Sequence, residues 1–187
     1  MNRIGTSVIQ SVRHPAPALG RRVALGLVLA LALATSGCAV LRGQEIVVPN
    51  ALAEQDGNTA STTPGDDNQS GIRIQYLLDA SQFQALSGPA YLTGFASRPD
   101  RTPGASGPKT ITVQVYASTT TRTLAQMSTR FSENIGADRT LVFDGTLTLS
   151  SENLPGPGNT RQFDYAYPFT TPFLYDPAAG NLVLELQ

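Results

Sequence analysis

The chain has 187 residues, enough for one domain of ordinary size and an additional segment. Hydrophobic residues make up 41% and charged residues only 14%, which allows a buried core and excludes a chain that is disordered throughout. The 17 glycines and 13 prolines favour an all-β domain with many turns. From Cys38 onward, 9 basic residues stand against 14 acidic ones, so the sequence argues against nucleic acid as a partner.

An apolar run of 12 residues, Val23 to Ala34, follows the basic pair Arg21-Arg22. The run is shorter than the roughly 20 residues that a membrane-spanning helix needs. A basic segment, a short apolar run and small residues after it are typical of a signal peptide. A buried helix is the alternative, but no polar face interrupts the run. The sequence therefore predicts a signal peptide over residues 1–37 and export of the remaining chain.

Cys38 directly follows the small residues ATSG of positions 34–37. This junction is similar to the lipoprotein box of exported bacterial proteins, in which a cysteine after glycine is acylated, although leucine is usual where Thr35 stands. Cys38 is the only cysteine of the chain, so it has no partner for an internal disulfide. We predict a lipidated Cys38 that anchors the protein to a membrane. The alternative is ordinary cleavage near Ala39, which removes Cys38.

Alternating apolar residues predict a series of strands after the signal peptide. One-sided alternation is typical of antiparallel sheets with one face on a core. Pro49 limits the first segment to an edge or an end of a sheet, and residues 51–71 predict a long, flexible exposed loop. The alternating segments are Glu45–Pro49, Ile72–Leu78, Tyr91–Phe95, Ile111–Val115, Leu141–Leu149, Phe163–Phe169 and Leu182–Leu186.

One segment has helical spacing, with apolar residues at intervals of three or four and Gly136 as a stop signal. The sequence therefore predicts one short helix over about 122–135. Several strands and one helix indicate an all-β fold, mainly an antiparallel β-sandwich that is jelly-roll-like. The apolar residues with helical spacing are Leu124, Met127, Phe131 and Ile135.

The chain ends at Gln187, directly after an apolar strand. Because a sandwich seldom stops inside its core, this predicts either a domain truncated at Gln187 or a last strand at a sheet edge. The predicted organisation is a signal peptide over 1–37, a short linker over 38–45 and a β-sandwich domain over 46–187.

Four phrases stand out in the predicted domain: IVVPNALAEQDGN from Ile46, FASRPD from Phe95, FSENIGAD from Phe131 and TPFLYDPAAGNLVLE from Thr171. In this order and spacing they resemble a domain of uncharacterised exported bacterial proteins, many of which end in a PEP-CTERM sorting tail. The resemblance covers about residues 46–186 and implies a β-sandwich without established catalytic residues. This sequence shows no such tail, and the family's domain runs on beyond the corresponding last strand.

Residues that most enzymes use are scarce after the signal peptide. The one histidine is His14 and the one cysteine is Cys38, so the mature chain lacks Ser-His-Asp and Cys-His catalysis and the usual zinc ligands. No phosphate-binding or dinucleotide-binding motif is present. We predict that the protein is not an enzyme and has no cofactor.

Carboxylates leave two weaker hypotheses open. Oxygen ligands for Ca²⁺ are available at Asp56 and at Asp66-Asp67, but neither site has the EF-hand spacing, and these residue types are also common in turns. A glycosidase needs two carboxylates that face each other across a cleft. The absence of tryptophan weakens a sugar-binding role, and the Arg98–Arg101 turn is predicted to be structural. The candidates for a carboxylate pair are Asp100, Asp138, Asp144 and Asp164.

The sequence favours a non-enzymatic exported protein of the cell envelope or surface, with a structural or adhesive role. The alternatives are a module that binds glycans or Ca²⁺ and, last, a carboxylate-based hydrolase. The predicted partners are a membrane, through the lipidated N-terminus, and an extracellular polysaccharide or envelope component. The predicted location is the outer membrane, the periplasm or the cell surface for the lipidated protein, and secretion otherwise.

Overall fold

The computed structural model describes residues 7–13, 44–57, 71–101 and 105–187, the first of these by its backbone alone. The described part of the chain is all-β, as the sequence predicts, and its helical residues lie in four short 3-10 turns. The strands are β1 Ser7–Arg13, β2 Gln44–Val48, β3 Ile74–Leu78, β4 Ala90–Ser97, β5 Ser106–Thr120, β6 Thr140–Ser151, β7 Tyr165–Tyr175 and β8 Asn181–Leu186.

The strands form two four-stranded sheets in which every neighbouring pair is antiparallel. Sheet A has the order β2-β1-β4-β7, and sheet B has the order β3-β8-β5-β6. The short β2 is an edge strand that ends at Val48, the residue before Pro49, in agreement with the prediction of an edge or an end. One of the two predictions for the end of the chain was that its last strand lies at a sheet edge. This prediction is wrong, because β8 lies between β3 and β5.

Buried apolar residues from both sheets form one cluster. Along β5 the alternation places Val113, Val115 and Ala117 in this cluster, with exposures of 4% or less. In sheet A the rings of Phe95 and Tyr167 stack in parallel with their centroids 4.4 Å apart. Burial of one large apolar side chain contributes about 1.5–3 kcal/mol, so this shared core is the main source of stability for both sheets.

Two strands depart from simple alternation. In β6 an extra residue opposite the Val115–Tyr116 step shifts the register, so that Val142 is buried and the preceding Leu141 is 39% exposed. Every residue of the inner strand β8 is buried, including Val183 and Glu185, which lie between the core positions. The second face of β8 is therefore covered, although the sequence predicts one buried face.

The predicted helix over 122–135 is wrong, because this segment holds two separate 3-10 turns, Leu124–Gln126 and Phe131–Glu133. No apolar stripe of the segment is buried, and its one buried residue is the polar Asn134. A helix of this length depends on packing of an apolar face. Here hydrogen bonds to the sheet hold the segment instead, and they favour an irregular loop.

Gly136 does not end a helix but allows a close approach of two backbone segments. A Cβ atom at Gly136 would lie 1.7 Å from the carbonyl oxygen of Thr119 in β5. The amide of Gly136 also donates to the hydroxyl of Ser118, at 3.3 Å. The loop after β5 therefore folds back onto the end of that strand at a point where a side chain has no room.

Gly136→Ala should destabilise the fold by about 1–3 kcal/mol, because the new methyl group forces the loop away from β5. Chemical denaturation measures the loss. Gly107→Ala is the matched control, since a Cβ atom at Gly107 meets nothing within 4 Å. Equal effects of the two substitutions would contradict the close-approach explanation.

Candidate functional site

Glu185 of β8 is the one charged residue that is buried among the described residues, with 2% exposure. Its Oε2 atom accepts hydrogen bonds from Arg73 Nη2 at 2.9 Å, Arg73 Nε at 3.2 Å and Gln75 Nε2 at 2.5 Å. Its Oε1 atom accepts from Arg139 Nη2 and Gln187 Nε2, both at 2.7 Å. Both carboxylate oxygens are thus occupied by donors of the same chain.

The strand register places this cluster in one row across sheet B. Gln75 of β3 and Tyr116 of β5 are the direct neighbours of Glu185 on either side. The guanidinium of Arg139 stacks on the ring of Tyr116 at 3.4 Å, and that of Arg73 lies over the ring of Phe131 at 4.8 Å. Such cation–π contacts add to the ion pairs, so each arginine is held on two sides.

Asn134 connects the row to the loop between β5 and β6. Its Nδ2 atom donates to Gln75 Oε1 at 2.9 Å and to the Ser128 carbonyl at 3.0 Å, and its Oδ1 accepts from the Ser128 amide at 2.8 Å. Gln75 in turn donates to the carbonyl of Phe131 at 3.0 Å. The polar groups therefore tie the loop to the outer face of sheet B.

Two opposing influences act on the pKa of Glu185. Burial is the largest single influence and raises the pKa, because it penalises the charged form. The hydrogen bonds from Arg139, Arg73, Gln187 and Gln75 together outweigh burial, so the pKa lies below its usual range. The carboxylate is therefore held in the charged state and is a poor candidate for a general acid near neutral pH.

A second cluster surrounds Arg98 at the end of β4. Its Nη2 atom donates to the carbonyls of Leu52 and Gln55, both at 2.6 Å, and Nη1 donates to that of Ala53 at 3.3 Å. The guanidinium also lies over the ring of Phe163, at 4.9 Å. Burial lowers the pKa of Arg98, and the nearby Asp56 opposes this effect. Arg98 thus joins three segments, in agreement with the structural role predicted for its turn.

Most of the predicted site residues fall outside the part of the chain that the structure describes. Cys38, Asp66 and Asp67 lie outside the described residues. Asp56 is described, and it interacts with the positive charge of Arg98, which disfavours a bound cation there. Across 44–57, 71–101 and 105–187, no three acidic, histidine or cysteine side chains converge on a common point.

The four aspartates considered for a carboxylate pair each accept a hydrogen bond from a different residue. Asp100 accepts from the amide of Arg101, and Asp138 from the amide of Thr119. These contacts hold a turn and the end of β5. The remaining two are Asp144, which accepts from Gln114 Nε2 at 2.9 Å, and Asp164, which accepts from Ser151 Oγ at 2.6 Å.

Two of the tyrosines, Tyr167 and Tyr175, lie in the core. Tyr167 is 1% exposed, and its hydroxyl has no hydrogen-bond partner among the described residues. Burial, and then the neighbouring Tyr76 and Tyr165, raise the pKa of Tyr167 well above its usual value. Tyr175 is fully buried and donates to the carbonyl of Gly180 at 2.9 Å. These two rings are not available as a platform for sugars.

No protein-family model matches the chain, and no curated protein or solved structure is detectably similar to it. Among the described residues, no helix is long and apolar enough to cross a membrane.

The Glu185 cluster and strand β1 were not predicted from the sequence. A single acid inside the apolar strand NLVLEL is a signal for a buried ion pair. The signal for β1 is a short segment rich in β-branched residues, SVIQSVR, ahead of the apolar run.

Glu185→Gln should lower the free energy of unfolding by about 2 kcal/mol at pH 7, since hydrogen bonds to charged groups contribute roughly 1.5–3 kcal/mol. Urea denaturation measures the change. Glu133→Gln is the control, because the Arg130–Glu133 pair is exposed and such pairs contribute about 0–1 kcal/mol. A loss no larger than that of the control would contradict the anchoring role of Glu185.

Acid should weaken the fold through the same carboxylate. A group whose pKa is lowered by folding stabilises the protein above its unfolded pKa, about 4.3 for glutamate, and this contribution is lost as the pH falls through the folded pKa. The urea midpoint of the natural chain should therefore drop below about pH 4.3. Glu185→Gln should reduce this drop without abolishing it, because the pKa of Asp79 is also lowered, by its hydrogen bonds with Ser81. An unchanged drop in the variant would contradict the assignment.

Proposed function

We propose that this chain is a non-enzymatic exported protein whose β-sandwich has a structural or adhesive role at the bacterial cell envelope. One observation carries the proposal. The buried charged group of the described chain, Glu185, is occupied by internal donors on both oxygens and fixes a loop to a sheet. The hydrogen bonds of this buried carboxylate thus stabilise the fold of the domain itself. The shared core of sheets A and B supports the sandwich arrangement.

The resemblance of residues 46–186 to an exported domain and the predicted signal peptide support the location. Five residues, 39–43, separate Cys38 from the start of β2. An extended chain spans at most about 3.6 Å per residue, so this tether reaches roughly 20 Å. A lipidated Cys38 therefore keeps the domain close to the membrane surface.

Metabolic labelling with an alkyne fatty acid tests the anchor. The natural chain should carry the label, enter the detergent phase and begin at Cys38 by mass spectrometry, whereas Cys38→Ala should do none of these. Ser36→Ala is the matched control for the junction and should still be labelled. A label that persists in Cys38→Ala would contradict lipidation at this position.

Two binding assays test the absence of a ligand. Specific signals for the exported protein on a glycan array would replace the structural role with carbohydrate binding. A melting temperature that rises with Ca²⁺ and returns with chelator would assign a metal-dependent role instead. The proposal expects neither change.

A further inference from the structure

Strand β1 is an inner strand of sheet A, although it belongs to the predicted signal peptide. Its backbone pairs with β2 on one side and with β4 on the other. Ile9, for example, is opposite Ile46 of β2 and opposite Phe95 of β4. Removal of residues 1–37 therefore takes a strand out of the middle of a sheet.

The vacated space, here called the acceptor slot, has the width of one strand. Neighbouring strands lie about 4.8 Å apart, so β2 and β4 would be separated by roughly 9–10 Å. Each strand would face the slot with a row of backbone N–H and C=O groups without partners. Unpaired groups of this kind are costly when buried and bind other strands when exposed.

The β2 side of the slot is held in place without β1. Directly after β2, the Asn50 amide donates to Gln82 Oε1 at 2.7 Å, and Asn50 Nδ2 donates to the Gln82 carbonyl at 3.0 Å. Arg98 binds the carbonyls of Leu52, Ala53 and Gln55 in the same segment. These contacts connect the exit of β2 to the turn after β3 and to the end of β4.

The other side of the slot is β4, which has the composition of an inner strand. The β4 sequence AYLTGFAS contains no charge and no proline, and Leu92 and Phe95 are at most 2% exposed. The outer strand β7, by contrast, carries Pro168 and Pro172, residues that protect an edge. A bare β4 edge lacks such protection and therefore needs a partner strand.

Direct pairing of β2 with β4 is an unfavourable way to close the slot. Both strands are antiparallel to β1, so they run parallel to each other, and their approach would require the contacts of Asn50 and Arg98 to break or move. A third strand restores both hydrogen-bonding rows without moving either side of the slot.

We propose that the acceptor slot of the exported protein binds an extended segment of a partner protein, which pairs antiparallel with β2 and β4 as β1 does. The inference rests on the proposed function, since it requires the removal of residues 1–37. The six residues before Arg13 in β1 are uncharged, so the partner segment is uncharged and able to form a strand. Backbone hydrogen bonds supply its affinity, as in other cases of strand addition.

A peptide that copies residues 5–14, labelled with a fluorophore, is the probe for the slot. Three proteins are compared by fluorescence anisotropy: the processed form isolated from the envelope, the unprocessed full chain made by cell-free synthesis, and the full chain with Ile9→Pro. Proline removes a backbone donor and is not tolerated in an inner strand, so Ile9→Pro should release β1.

The processed form and the Ile9→Pro chain should bind the peptide at least about 100-fold more tightly than the full chain, in which β1 competes as an intramolecular strand. A peptide with Ile9→Pro is the matched control and should not bind. Near-ultraviolet circular dichroism of the tyrosines checks that the Ile9→Pro chain is folded, and the processed form carries the test if it is not.

A processed form that begins at Cys38 but binds no peptide would overturn the acceptor slot alone. A processed form that is dimeric and excludes the peptide would assign the slot to a second copy and would also overturn the proposal. An exported form that retains residues 7–13 would contradict the proposed removal of residues 1–37 and not the acceptor slot. In that case, peptide binding by the Ile9→Pro chain would still show that the slot accepts a strand.

Discussion

The ion pairs of one buried carboxylate hold together the half of the molecule that contains sheet B. Burial of an unpaired carboxylate is prohibitive, so Glu185 can occupy an inner strand only while Arg73 and Arg139 remain beside it. Arg73 directly precedes β3 and Arg139 directly precedes β6, so the two arginines come from separate segments of the chain. Their positions in turn fix the loop between β5 and β6, because Arg73 lies over Phe131 and Arg139 over Tyr116.

Sheet A depends on a different kind of constraint. Its aromatic residues pack into the shared core, but its strand order leaves β2 connected to the rest of the sheet only through β1. The polar contacts of Asn50 and Arg98 are what position the segment after β2. The domain thus combines a sheet fixed by an internal ion-pair network with a sheet whose completeness depends on the most N-terminal strand.

The all-β class and most strands were predictable because apolar alternation has a period that local sequence reveals. Pro49 lacks an amide donor and therefore limited this segment to an edge or an end of a sheet, and β2 is an edge strand that stops at the residue before Pro49. The helix prediction failed because spacing alone does not show whether an apolar face has anything to pack against. Leu124 is in fact 48% exposed, and the segment is anchored by Asn134.

The candidate site was less predictable than the fold. Glu185 finds its partners 112 and 46 positions away, and no local pattern shows that a lone acid in an apolar strand is paired with two distant arginines. Strand β1 was missed for another reason. Its basic neighbours and the apolar run after it are the features of a signal peptide, and that pattern outweighs a short β-branched segment. The selected aspartates that the structure describes lie mostly in turns and next to strand ends, because aspartate is common in turns as well as in binding sites.

The position of β8 has a consequence for how the chain is made. β3 and β5 do not pair with each other; β8 enters between them and is the last strand in sequence order. Sheet B can therefore be completed only after the residues of β8 have been synthesised, although β5 and β6 can pair earlier, and the pairing of β3 with β8 over this sequence distance is slow. Until β8 has been added, β3 and the β5–β6 pair therefore each keep an unpaired edge, which is the kind of edge that binds other strands.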